Sequence, residues 1–156
     1  MQFKHQYTIA QAREPLWDTL MDVHKVAGCL TGVEALEVLQ DDLYAGILAV
    51  KMGPVNLKFS GEVSVTRRDR QHWLGILEAN AKDAKAGGGF KAALTLQLVE
   101  AEPDATDLEI TLDTTFLGRL GELGRPLIKK KINTMMDDFI KTLNAQYVED
   151  QGNTET

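Results

Sequence analysis

At 156 residues, 44% of them hydrophobic and 26% charged, the chain has the composition of one soluble globular domain. A chain of this length buries roughly 70% of its unfolded surface, so it needs no metal or disulfide staple. The formal net charge of -6 excludes a general electrostatic pull toward nucleic acid, and the single cysteine, Cys29, excludes an internal disulfide and fits a reducing cytoplasm.

The opening MQFKHQYTIA has no apolar signal-peptide core, and no later run approaches the ~20 apolar residues of a membrane-spanning helix. In FKHQYTI, Phe3, His5, Tyr7 and Ile9 alternate with Lys4, Gln6 and Thr8, which predicts a first strand with an aromatic inner face. The period then changes. Leu16, Trp17, Leu20, Met21 and Val23 share one side of a helix over residues 13–24, and Pro15 suits its first turn. VAGCLTGVEALEVL runs as a loop through Gly28 and Gly32 into a short strand near residues 35–39. Asp41-Asp42 marks a turn before a strand over 43–52.

Gly53-Pro54 then breaks the line. Val55, Leu57, Phe59, Val63 and Val65 share one parity, with Gly61 filling an inward slot. The Gly-Pro pair reads as a corner where one strand ends and the next, over 56–66, begins at an angle, so that the sheet can curl. RRDRQ reads as a charged connection, 72–79 as a strand, and NAKDAKAGGG as a flexible loop. Phe90, Ala92, Leu94, Leu96 and Leu98 alternate cleanly over 90–100. EAEPDATD is a turn, and Leu108, Ile110, Leu112 and Phe116 mark the last strand. From Leu120 to Leu143 apolar residues recur at steps of three and four, the signature of an amphipathic helix.

This order predicts an α+β fold: a curved antiparallel sheet of about six to seven strands wrapped around a long C-terminal helix. Residues 1–147 form the domain, and 148–156 a polar tail expected to be disordered. Glycines 46, 61 and 75 lie inside strands, where they favour bulges and bends. A curled sheet gripping a helix often keeps a gap between the two.

Several motifs resemble the CoxG family of carbon monoxide dehydrogenase proteins, a branch of the START-like, helix-grip (SRPBCC) superfamily. PLWDTLMDVHKVAGCLTGVEALE carries Trp17, Asp22, Cys29, Leu30 and Gly32, with Thr31 where the family has proline. YAGILAVKMGPVNLKFSGEVSV is similar to the family's Gly-Pro hairpin, with Gly53, Pro54, Phe59 and Gly61. GGGFKAALTLQL resembles its Gly-rich approach to a strand. LGRLGELGRPLI matches its C-terminal signature at Gly118, Leu120, Leu123, Gly124, Leu127 and Ile128. Pro126 departs from that pattern. A proline inside a helix costs about 3 kcal/mol, so the helix either starts near Arg125 or bends there. Some members also carry a long apolar C-terminal extension. This sequence stops at Thr156 without one, which weakens an anchoring role.

The resemblance implies a helix-grip cavity for an apolar, lipid- or quinone-like molecule, with no cofactor of its own. It also implies an accessory role beside a molybdenum-containing dehydrogenase, and a cytoplasmic location that extends to the inner membrane face. The expected lining is Trp17, Tyr44, Phe59, Trp73, Phe90, Phe116, Met135, Met136 and Phe139, under the C-terminal helix. Each of these side chains also has a simpler use as core. Tyr44, Asn56 and Thr114 are candidates to orient a ligand, and Gly28–Gly32, Gly53-Pro54 and Gly87–Gly89 to gate access.

Other chemistry is poorly supported. Asp22, His24 and Cys29 lack the framing of a nucleophile site, and His24 suits the end of a helix. His5, His24 and His72 match no metal-ligand spacing. AKAGGGF lacks the Gly-Lys-Ser/Thr ending of a phosphate loop. Arg119, Arg125, Lys129, Lys130 and Lys131 form a basic cluster, either a solvated face or a docking surface for a membrane or an acidic partner. Two rival readings remain: a polyketide cyclase or hydrolase-type enzyme, which needs a titratable group inside the cavity, and an adaptor whose core is filled.

Overall fold

Alternating side chains build one antiparallel sheet of seven strands in a computed structural model that describes residues 1–85 and 87–148. The strands are β1 (Gln2–Ile9), β2 (Val33–Gln40), β3 (Leu43–Met52), β4 (Val55–Asp69), β5 (Leu74–Asp83), β6 (Gly88–Glu102) and β7 (Ala105–Gly118). Their order across the sheet is β1-β7-β6-β5-β4-β3-β2, so β1 and β2 are its edges. The tail expected from residue 148 lies, beyond Val148, outside the described residues.

Gly53-Pro54 is not a corner. β3 and β4 pair without interruption from Leu43↔Ser64 to Met52↔Val55, and the two residues close a tight hairpin. Gly53 takes φ +56°, a conformation that such two-residue turns require and glycine adopts without steric cost. A tighter backbone approach comes further along. A Cβ at Gly61 would collide with the Asn80 carbonyl oxygen and lie 2.6 Å from Ala81 Cα. β5 therefore sits where only glycine lets it. A register shift between Val65 and Arg67 bends β4 again.

The strands outrun their apolar pattern. β4 takes in Arg67 and Arg68, and β5 and β6 absorb most of NAKDAKAGGG, leaving Ala84, Lys85 and Gly87 in a turn. Polar side chains on the wet face cost a ladder nothing, so a charged sequence does not end a strand. Gly88 and Gly89 accordingly belong to β6 rather than to a gating loop.

The predicted helix over residues 13–24 is two helices, α1 (Arg13–Leu20) and α2 (Val23–Cys29). Asp22 divides them. Its Oδ1 accepts hydrogen bonds from the backbone N–H of His24 at 3.1 Å and Lys25 at 3.3 Å, satisfying two donors that a helix start leaves unpaired. Gly28 thus lies in α2 instead of a loop, and His24 begins a helix instead of closing one. At the other end, α3 (Arg119–Glu122) sits between Gly118 at φ +61° and Gly124 at φ +91°. α4 (Arg125–Leu143) then starts with Pro126 in its first turn, where proline loses no hydrogen bond, and runs into a π-helical turn, Asn144–Val148.

The buried side chains form two clusters. One joins Leu16, Trp17 and Leu20 of α1 and Phe139, Ile140 and Leu143 of α4 to Leu96, Leu98, Leu108 and Ile110. The other joins Val50, Met52, Leu57 and Phe59 to Leu120 and Ile128. Edge strand β1 is tied to α4 by polar contacts. His5 Nε2 lies 2.9 Å from Asn133 Oδ1, and the Tyr7 hydroxyl donates to Asp137 Oδ1 at 3.1 Å.

Candidate functional site

Between the two clusters lies a hollow of about 260 Å³. The register explains it. Gly46, Gly61 and Ala81 stand side by side across β3, β4 and β5, and Ala79 faces Ala92 in the next row. Small residues on five neighbouring inner-face positions leave a layer thinner than the ~10 Å that packed elements normally fill. Phe59 and Phe90 wall one side, their rings edge to face at 5.1 Å. Leu77, Leu94 and Leu112 wall the other.

The roof is α2. Val23, Val26, Ala27 and Leu30 repeat at the spacing that puts them on one helix face, and all four line the hollow. Val26, Ala27, Leu30, Val33 and Leu36 are only partly buried, so the mouth lies between α2 and the β2 edge. Glu62 and Glu78 are the ionisable residues among the lining, and both are exposed, on the alternate positions that face outward. The inner surface is carbon.

Of the nine residues expected to line a cavity, Phe59 and Phe90 do. Among the described residues none of α4 borders this hollow, which lies under α2 and not under the C-terminal helix where the expected lining was placed. The inward side chains of α4 are spent on the cores: Phe139 and Met136 on the first, Ile128 on the second. Met135 is half-buried on the same helix. Trp17 belongs to the first core and meets Trp73 edge to face at 5.8 Å. Trp73, at φ +54°, is held between the guanidinium groups of Arg13 at 4.4 Å and Arg70 at 4.7 Å. Phe116 packs on the second core beside Phe90.

The polar candidates also separate. Tyr44 lies one inner-face position from Gly46 and meets the His24 ring edge to face at 5.8 Å, near the rim. Asn56 is exposed opposite Lys51. Thr114 is buried, and its hydroxyl donates to the Met1 carbonyl at 3.1 Å. The Gly53-Pro54 turn rests near Leu127 of α4, away from the mouth.

Cys29 is buried in the first core, and burial pushes its thiol pKa up, the reverse of an activated nucleophile. Among the described residues no group of three or more His, Cys, Asp or Glu is placed to hold a metal. Arg119, Arg125, Lys129 and Lys130 are exposed and Lys131 is half-buried. What sequence reasoning missed is the small-residue floor and the α2 roof. The Val23-Val26-Ala27-Leu30 spacing signals the roof, but the floor appears only once strand register is fixed.

The sequence matches the carbon monoxide dehydrogenase CoxG family over residues 6–148. The chain belongs to the CoxG family. No curated protein sequence matches it. Solved structures share the fold. A crystal structure of a conserved protein from Geobacillus kaustophilus superposes with TM-score 0.87 at 19% identity, covering 96% of each chain. A START superfamily protein from Mycobacterium smegmatis gives 0.68 at 14% identity, covering 95% of this chain and 97% of that one. The Zhui aromatase/cyclase from Streptomyces sp. R1128 gives 0.69 at 14% identity, covering 94% and 93%. This CoxG-family chain therefore has the START-like helix-grip fold, as its motifs suggest, with a hollow under α2.

Proposed function

We propose that this CoxG-family protein is a non-enzymatic binding module that holds an apolar small molecule, lipid- or quinone-like, in the hollow under α2. One observation carries the reading: the glycine and alanine floor leaves about 260 Å³ bounded by carbon. That is the space of about nine waters at ~30 Å³ each in the liquid, yet a buried water needs two to four polar partners. Here it finds none. Water is therefore a poor occupant, and a hydrocarbon segment a good one, gaining ~0.8 kcal/mol for each buried CH₂ before ordering costs.

The volume is small for a whole lipid, so the tail sits inside and the polar head stays at the mouth, near His24 and Tyr44. The Zhui protein is named as an aromatase/cyclase, which keeps the enzyme reading in view. Such an enzyme needs an acid or base among its lining groups, and both ionisable residues at this hollow are exposed on the outward face. That favours the holder. The family link further suggests service to a molybdenum-containing dehydrogenase, either by passing it the bound molecule or by recruiting it to the inner face of the cytoplasmic membrane. No helix among the described residues is long and apolar enough to cross a membrane, so recruitment would act through surface contact.

Native mass spectrometry of freshly purified protein, followed by solvent extraction, tests the reading. The expected result is one apolar molecule per chain, retained by the wild type and lost from Ala79→Leu/Ala92→Leu. Equal retention by a folded double variant would place the ligand elsewhere, and empty protein from several expression hosts would favour an adaptor.

A further inference from the structure

We infer that two copies of this chain pair along β2, antiparallel and edge to edge, so that the mouths of their two hollows join. β2 is an edge strand, and among the described residues no strand pairs with its far side. Exposed edges are kept from pairing by proline, by lysine or by a charge turned inward. β2 has none of these. Its eight residues, VEALEVLQ, include no proline, lysine or arginine. Leu36 opposite Gly46 and Val38 opposite Tyr44 make its hollow-side positions apolar. The other edge is defended: β1 sets the exposed Lys4 beside Thr111 and turns the polar tips of His5 and Tyr7 onto Asn133 and Asp137 of α4.

What β2 exposes is apolar. Val38 and Leu39 are 54% and 46% exposed, the highest values among the large hydrophobic side chains of the described residues. Behind them β3 is apolar on both faces. Leu43, Ala45, Ile47 and Ala49 hold its outward positions, while their partners on β4 are Ser64, Glu62, Ser60 and Lys58. Such a run suits a strand well inside a sheet, which a paired β2 makes of β3.

The occupant that fits this edge is a second β2. Two identical antiparallel strands are related by a two-fold axis perpendicular to their sheet, so both copies keep their inner faces on one side. Each hollow opens between α2 and β2, and the two mouths then meet across the pairing line, with Val38 of each copy standing at the junction. Charge allows the pairing. Lys58 neutralises Glu34 at 2.9 Å. With Leu36 opposite its own copy, Glu37 falls beside Ala35 and Glu34 beside Val38, so no two carboxylates oppose. A foreign basic strand finds less to hold, because Arg68 engages Asp42 at 3.0 Å as Lys58 engages Glu34. The pairing needs no ligand; only the use of a shared chamber rests on the binding reading above.

Sedimentation velocity of the full chain from ~5 to ~500 µM tests it, a range suited to a contact smaller than the standard interface. The expected result is a monomer–dimer equilibrium within that range. The dimer fraction should grow in ~0.5 M salt, which screens the repulsion between two chains of net charge -6. Hydrogen exchange at the high concentration should slow at least tenfold for the β2 amides that point away from β3, and the Ala27 methyl at the mouth should shift along the same concentration curve. Val38→Lys/Leu39→Lys charges the edge and should leave a monomer throughout, with unchanged circular dichroism because both side chains are exposed. Val99→Lys/Leu117→Lys adds the same charge at exposed sites off β2 and should dimerise like the wild type. A monomer at ~500 µM, a dimer indifferent to the β2 lysines, or exchange slowed at β1 in place of β2 would each overturn the pairing. So would β2 amides protected only by an added lysine-rich strand peptide, which gives the edge to another protein. An unmoved Ala27 methyl in the dimer would overturn the joining of the mouths. Dimerisation is read without ligand, so it stands or falls apart from the binding reading.

Discussion

Gly61 and Gly46 face each other across β3 and β4, yet substitution should separate them sharply. A Cβ at 61 runs into β5 backbone, which cannot yield without moving a strand, whereas at 46 its nearest neighbours are the Ala35 carbonyl oxygen at 3.2 Å and Leu36 Cδ1 at 3.7 Å. Gly61→Ala should cost about 3 kcal/mol in urea unfolding and Gly46→Ala less than about 1 kcal/mol. Tyr7 makes a second test at this scale. Burial, then the hydrogen bond and charge of Asp137, push its pKa up to about 12. The folded protein therefore favours the neutral phenol over a range where the unfolded chain, at the ordinary value near ~10, already ionises. That stabilisation is complete below pH ~10 and is lost as pH rises to about 12. Tyr7→Phe should flatten the alkaline fall in stability, and its absorbance titration at alkaline pH should lose the phenol that ionises at about 12.

At the scale of elements, α2 is the piece on which the site depends, since it supplies the roof while making few contacts of its own with the sheet. Asp22→Ala removes its cap and should cost about 1 kcal/mol, seen as a lower Tm. The same variant should also release a bound apolar probe faster, because a frayed roof opens the mouth. This helix was half-legible in the sequence. Leu16, Trp17, Leu20, Met21 and Val23 do share a face, which is why residues 13–24 read as one helix. The capping Asp22 and the Val23-Val26-Ala27-Leu30 repeat mark the break, but Gly28 argues locally for a loop, and tertiary burial overrides it. The strands were legible in number and inner parity, not in length, because wet-face residues such as Arg67 and Lys82 carry no apolar signal. Pro126 left two possibilities, and its first-turn position resolves them.

At the scale of the whole molecule, the fold was legible because periodicity and motif order point the same way, while of the side chains that border the hollow the expected lining contained Phe59 and Phe90. Aromatic and Met side chains draw attention in a sequence, yet here most of them fill the two cores. The hollow is made by what is missing at Gly46, Gly61, Ala79, Ala81 and Ala92, and absence acquires meaning only when register sets these positions side by side. The most direct test of the account is NMR of protein labelled at alanine and methionine methyls, titrated with a long-chain alcohol. The Ala27, Ala79, Ala81 and Ala92 methyls should shift together and saturate while those of Met135 and Met136 stay in place. Shifts confined to the two methionines, or none at saturating alcohol, would contradict a ligand chamber beneath α2.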